Sequence, residues 1–250
     1  MAGMSAVGQL LRTWRGERRL SQLDLSARAG VSARHLSFVE TGRSRPTRDM
    51  ILRLARELDV PLRNRNELLL AGGYAPAYSE ADLDDPPLAD VLHGLRQVLD
   101  GHGPCPAVLV DRHWTMVDAN AAVTRFTDGC APELLEPPVN VLRLALHPRG
   151  LAPRIENLVE WRTHLLHRLD RQVAVTADPV LRELRAELGG YPGGEIAAGS
   201  PGVVIPLRYD GLSFFTMTAV LGTPRDVTLA ELAIETFLPA DAATAAALGR

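Results

Sequence analysis

Lysine is missing from this chain of 250 residues, so all 27 of its basic side chains are arginines. The absence points to a GC-rich genome, and it leaves every side-chain cation contact to a planar guanidinium fork or a histidine. Cysteine is nearly as scarce. Cys105 and Cys130 lack the paired spacing of zinc ligands or of a disulfide frame, so both read as reduced, buried thiols. Aromatics supply only 5% of the residues, so Leu, Val and Ala must fill most of the core. No uncharged stretch approaches the roughly 18 residues of a membrane span. Met1–Gly8 has no basic segment leading into an apolar run, so no signal peptide is expected. The expected location is the cytoplasm, on the nucleoid, with no membrane partner.

What is present is unevenly placed. Residues 1–75 hold 13 Arg against 7 acids, a balance of +6, whereas the remainder holds 14 Arg against 23 acids, a balance of −9. A basic head on an acidic body can bind a polyanion through one end alone. The length suits two small domains. Residues 1–74 form the head, 75–87 a linker rich in Pro and acids, and 88–250 a second domain.

The segment Leu20–Arg45, LSQLDLSARAGVSARHLSFVETGRSR, is the most specific part of the chain. Ser21 and Asp24 have capping-box spacing, with Leu20 and Leu25 placed as a hydrophobic staple. Gly30 supplies a residue free to take positive φ, and Ser32 caps the next helix, with Val31 and Leu36 again at staple spacing. Two capped helices around a Gly turn make a helix-turn-helix. Five helices are expected in the head, at about Ser5–Arg18, the two just described, one after Pro46 capped by Thr47, and one over Arg63–Ala71. Leu23, Ala27, Leu36 and Val39 are the expected inward residues of the central pair.

This head resembles the Xre, or phage-repressor-like, helix-turn-helix family through Leu20-Ser21-Gln22, Ala29-Gly30-Val31-Ser32 and Glu40-Thr41-Gly42-Arg43. The resemblance implies that Gln22 bonds a DNA phosphate and that Arg15 and Glu40 form a structural pair. The start of the third helix should enter the major groove, with Ala33, Arg34 and Ser37 at the bases. Arg34 is the candidate for a bidentate guanine contact. Ser21, Ser32, Arg43, Ser44 and Arg45 complete the DNA-binding set as backbone positioners. Phe38 stays open between groove, core and dimer contact. A double-stranded operator and a homodimer are the expected partners.

Beyond the linker, a helix over Leu88–Leu99 precedes strands at Pro106–Val110 and Trp114–Ala119, and Asn120 stands where it could cap a helix to Phe126. Helices at Pro153–Val173 and Pro179–Leu188 follow, then strands at Gly202–Tyr209, Leu212–Leu221 and Leu232–Leu238, with Asp210-Gly211 as a hairpin turn. The fold class is therefore α plus α+β, an N-terminal five-helix domain and a PAS-like antiparallel sheet covered by helices.

The segments PAVLVDRHWTMVDAN and NVLRLALHPRG, together with the head, resemble the MmyB-like transcription regulators. That resemblance implies a fatty acid or similar lipid as effector in a C-terminal cavity, with no required cofactor. Trp114, Asn120, Arg143, His147, Arg149 and Trp161 are the candidate ligand contacts. Glu160, His164 and His167 share a helix face, but without HExxH or a nearby Cys no metal is expected. Ser200 and Ser213 lack a nucleophile elbow, so no enzyme activity is expected. The loop Gly189-Gly190-Tyr191-Pro192-Gly193-Gly194 opens no helix after a strand, so it is a poor phosphate cradle. The alternative to a small-molecule sensor is a C-terminal protein-interaction module.

Overall fold

The computed structural model describes residues 5–194 and 204–249. It divides into two compact units, one running up to Ala81 and including Pro224–Ala230, the other formed by the rest of the chain.

The first unit is helical: α1 (Ala6–Glu17), α2 (Gln22–Ala29), α3 (Ala33–Glu40), α4 (Arg48–Glu57) and α5 (Leu62–Ala71). Local chemistry sets the boundaries. Ser21 Oγ accepts from Asp24 N at 3.1 Å while Asp24 Oδ2 accepts from Ser21 N at 2.9 Å, so the capping box is complete. Gly30 ends α2 in the left-handed region at φ 63°, and Ser32 Oγ caps α3 by accepting from His35 N at 3.1 Å. Thr47 caps α4. The core joins Leu11, Trp14, Leu25, Leu36, Val39, Ile51 and Leu54. Gly8 lets α1 press against the end of α3, since a Cβ there would lie 2.3 Å from the Val39 carbonyl oxygen.

One face is turned from expectation. Leu23 is 70% exposed and Ala27 is also exposed, while Leu25, Ser26 and Ala29 point inward. The staple at Leu25 and the turn after Ala29 fix the rotation of α2, which outweighs the Leu23–Ala27 spacing.

This unit also extends past the expected end at residue 74. Asn66, 8% exposed, accepts from Ala77 N and Tyr78 N at 2.9 and 3.1 Å and donates to Tyr78 O at 2.8 Å, pinning the first part of the presumed linker to α5. Residues 224–230 add to the same unit, where Asp226 Oδ2 accepts from Ala81 N at 3.1 Å and Val227 N donates to Ser79 O at 2.8 Å.

The second unit opens with α6 (Pro86–Gly101), longer at both ends than the expected Leu88–Leu99. Strands β1 (Ala107–Val110) and β2 (Met116–Ala119) follow, then α7 (Thr124–Thr127), α8 (Val141–Leu146), α9 (Leu158–Thr176) and α10 (Pro179–Gly189). β3 (Leu207–Tyr209), β4 (Leu212–Val220), a helical turn α11 (Val227–Ala230) that lies in the first unit, β5 (Ala233–Pro239) and α12 (Ala242–Ala247) complete the order. The sheet is antiparallel with strand order β2-β1-β5-β4-β3. The β3–β4 hairpin turns on Asp210 and Gly211, both at positive φ (48° and 73°), as a primed turn requires. Residues 202–203 of the third expected strand, and Ser200, lie outside the described residues.

α9 starts five residues later than expected from Pro153. Glu156 N donates to Arg208 O at 2.9 Å and Ile155 bridges Tyr209, so this stretch serves the edge of β3 before the helix begins. Among the described residues, no helix is long and apolar enough to cross a membrane.

Candidate nucleic-acid interface and apolar cavity

The exposed side of α3 is organised around Phe38. The Arg34 guanidinium lies 5.4 Å from its ring centroid and that of Arg43 lies 6.0 Å away, so one half-buried ring supports two cations. Arg34 is exposed, while Ala33 and Ser37 are half-buried beside it. The expected structural pair is present behind this face. Arg15 donates Nε and Nη2 to the two Glu40 carboxylate oxygens at 2.7 and 2.9 Å, and Nη1 to Leu20 O at 2.8 Å. Gln22 Nε2 donates to Glu40 Oε2 at 2.8 Å, so the pair also fixes the Gln22 amide. Ser21 and Ser32 act as caps. Arg45 is exposed, and its Nε and Nη2 both donate to Gly72 O, at 3.2 and 2.9 Å, which ties the end of α5 to the loop after α3.

In the second unit a cavity of about 80 Å³ lies between the sheet and helices α8 and α9. Val108, Met116, Thr216, Glu235 and Phe237 line it from the sheet, Leu142, Leu144 and Ala145 from α8, and Trp161, His164, Leu165 and Arg168 from α9. Met116 reaches it because a register irregularity between Leu109 and Val110 lets β2 send Met116 inward and Asp118, paired with Arg96 of α6, to the other face. Phe126 closes one side, packed edge-on against Tyr209, Phe214 and Phe237 at centroid distances of 5.2, 5.6 and 4.9 Å. Burial pushes the Tyr209 hydroxyl up to about 12.

Trp114 forms the cavity wall with a backbone φ of 67°, a conformation costly for a bulky residue. Its neighbours hold it there. Trp114 Nε1 donates to Gln172 Oε1 at 2.8 Å, Gln172 Nε2 donates to Arg112 O at 2.8 Å, and the Arg168 guanidinium lies 4.5 Å from the indole centroid. Strain so over-determined is characteristic of ligand clamps and switch regions. Opposite, His164 stacks on Trp161 at 5.5 Å. Burial, with the charges of Arg168 and Arg171, lowers His164 below the ordinary imidazole value.

Residues 91–250 match the MmyB-like transcription regulator ligand binding domain, and residues 11–63 match a helix-turn-helix family. The chain belongs to the MmyB-like transcription regulators. It is a helix-turn-helix transcription regulator carrying an MmyB-like ligand-binding domain. No curated protein matches it. Among solved structures, the clp gene regulator ClgR from C. glutamicum aligns at 22% identity over 28% of this chain and 86% of its own, with a TM-score of 0.25. A second structure of that regulator, from Corynebacterium glutamicum, aligns at 20% identity over 40% of this chain and 93% of its own, again with a TM-score of 0.25. An RNA-binding light-oxygen-voltage receptor aligns at 14% identity over 94% of this chain and 59% of its own, also with a TM-score of 0.25.

Of the six candidate ligand contacts in this MmyB-like regulator, only Trp114 and Trp161 line the cavity. Asn120 is 5% exposed and spends its amide on backbone groups: it accepts from Ala107 N and donates to Leu99 O and Cys105 O. Arg143 is turned away because Leu142 and Ala145 take the inward side of the short helix α8; it donates to Glu187 at 2.8 to 3.0 Å. His147 packs edge-on against Tyr191, and Arg149 pairs with Glu133. The Gly189–Gly194 loop closes on a buried side chain, with Arg162 donating to the carbonyls of Leu188, Gly189, Tyr191 and Gly194. Arg168 and Glu235, which face the cavity together with His164 and Thr216, are 67 positions apart and have no local signature. Phe38 had one, its i, i+4 spacing from Arg34.

Proposed function

We propose that this regulator binds a specific double-stranded operator as a homodimer and that its second unit senses a small hydrophobic, fatty-acid-like molecule. The Arg34–Phe38–Arg43 arrangement carries the DNA half of this reading. It presents one guanidinium from the helix for base edges and one from the following loop for phosphates. Gln22 retains a second amide hydrogen for a phosphate, and Ser44 lies in the same loop. One such domain buries too little surface for tight specific binding, which favours two heads on half-sites about one helical turn apart. The protein would act in the cytoplasm.

The sensing half rests on the cavity, whose wall is apolar apart from the Arg168–Glu235 ion pair, His164 and Thr216, the pattern of a small-molecule site. Its present size is below the roughly 300–1,000 Å³ that encloses drug-sized ligands. A chain-like ligand therefore enters only by displacing the walls, which gives it different affinity for two states. The wall strands β4 and β5 are joined by residues 221–232, which include the stretch 224–230 held in the DNA-binding unit, so strand displacement has a covalent route to the head. The exposure of Phe215, Met217 and Val220 on β4, at 37%, 46% and 67%, favours a second reading in which this unit binds a partner protein.

Operator titrations test the DNA reading. Arg34→Ala should relax base preference, costing about 1–3 kcal/mol on the preferred site. Arg43→Ala should weaken all sequences alike and flatten the salt slope by about 1. If both variants bound like the parent, the docking would be wrong. A denaturing mass spectrum of the purified chain should show a co-purified apolar molecule, and equal operator affinity with and without it would remove ligand control.

A further inference from the structure

The arginines of the DNA-binding unit fall into two kinds. Arg15, Arg18, Arg45 and Arg65 direct guanidinium hydrogens at the protein itself, at the Glu40 carboxylate or at the backbone carbonyls of Leu20, Leu58, Asp59, Gly72 and Val60. Arg34 and Arg43 differ. Among the described residues neither makes an ion pair or a side-chain hydrogen bond, and each is set instead against the Phe38 ring, at 5.4 and 6.0 Å from its centroid. Phe38 holds the loop through its backbone as well, since its carbonyl oxygen accepts from Arg43 N at 2.8 Å and from Ser44 N at 3.1 Å. Contact with a ring face occupies the flat side of a guanidinium and leaves its five in-plane N–H donors available. An ion pair would also fix the side chain, but it would occupy the donors that a base edge or a phosphate needs.

Resting on the DNA-binding reading above, we propose that Phe38 is a positioning residue, which holds Arg34 and Arg43 oriented in the unbound protein with their donors unoccupied. One ring thereby ties the base-reading cation of α3 to the phosphate-binding cation of the loop. An unsupported Arg loses rotamer freedom when it reaches a guanine, and that loss weakens the complex. Here the ring has already removed part of that freedom before DNA arrives. The effect is selective. Nonspecific duplex binding needs only the two charges near phosphates, whereas a bidentate guanine contact needs the guanidinium fork in one orientation. Phe38 therefore governs discrimination more than affinity, and it does so without touching a base.

The test uses the full chain and an operator that it selects from a pool of random duplexes. Replacing the guanine whose preference Arg34→Ala relaxes with 7-deazaguanine removes the N7 acceptor alone. That change should weaken the parent at least about tenfold, a gap of about 1.4 kcal/mol. In Phe38→Leu, which fills similar space without an aromatic face, the penalty should fall to about threefold or less. Affinity for a nonoperator duplex and the salt slope should match the parent in that variant, because both charges remain. Phe38→Tyr, which keeps the aromatic face, should restore the parental penalty. An undiminished penalty in Phe38→Leu would overturn the proposal and leave the docking of α3 intact. A parallel fall in operator and nonoperator affinity would overturn it too, since that is the mark of a ring that only supports the helix. A parent insensitive both to 7-deazaguanine at every guanine and to Arg34→Ala would remove the docking reading and this inference with it. If Phe38→Leu does not fold, Phe38→Met makes the same comparison.

Discussion

Glu40→Ala is expected to destabilise the DNA-binding unit by about 3–5 kcal/mol, the range for removing one partner of a buried ion pair. The Glu40 side chain is 1% exposed and collects three hydrogen bonds, two from Arg15 and one from Gln22. Its loss leaves the Arg15 guanidinium with the Leu20 carbonyl and frees Gln22. Because α1, α2 and α3 meet at this carboxylate, operator binding should fail with stability. Hydrogen exchange at α1 and α3 amides measures the local effect in the intact chain, and protection within about 0.5 kcal/mol of the parent would show that packing alone holds α3 on α1. The pair also predicts an acid limb. Burial pushes the Glu40 carboxyl up, but the bonds from Arg15 and Gln22 and the charges of Arg15 and Arg12 outweigh it, so its folded value lies below the ordinary one. The resulting stability is complete above the ordinary glutamate range and is lost as pH falls through the lowered folded value. Glu40→Ala should lack that component.

The features legible in the sequence are those whose chemistry is local. Ser21 with Asp24, Ser32 and Thr47 cap helices by bonds spanning three residues, and Asp210-Gly211 needs only its own backbone to turn. The Arg15–Glu40 pair spans 25 positions and was reachable through family resemblance alone. What stayed hidden depends on distant partners. Nothing near Tyr74–Pro87 shows that Asn66 satisfies the backbone of Ala77 and Tyr78, so proline and acids read as a linker. The stretch 224–230 belongs to the DNA-binding unit through bonds to residues about 145 positions earlier, as between Ala81 and Asp226. In the cavity, residue type misled. Arg143, His147 and Arg149 carry suitable chemistry on a helix and loop that face outward, whereas Arg168 and Glu235 meet across the sheet. Trp114 lines the cavity, yet its positive φ follows from the Asp111 turn and the Gln172 bond, which no propensity encodes.

Asn120 gives the second large expectation, and it separates a structural residue from a ligand contact. Its side-chain oxygen accepts from Ala107 N at 3.1 Å, and its nitrogen donates to Leu99 O and Cys105 O at 3.0 and 2.9 Å. One amide thereby joins the end of α6, the approach to β1 and the first residue of β1. Asn120→Ala leaves the buried Ala107 N–H and the Cys105 carbonyl to find other partners, while the Leu99 carbonyl keeps His102 N. At about 1–3 kcal/mol for each of the two groups left unsatisfied, with partial relief from entering water, the loss should be about 2–4 kcal/mol. Asn120→Asp should be at least as harmful, because an acceptor then faces the two carbonyls that the amide nitrogen had satisfied. Neither change touches the cavity lining, so the amount of co-purified apolar molecule per folded protein should stay at the parent value under conditions where the variant is still native. Thermal unfolding and mass spectrometry on the same samples distinguish the roles. Unchanged stability with lost binding would return Asn120 to the ligand site, whereas lost stability with unchanged binding assigns it to the joint between α6 and the sheet.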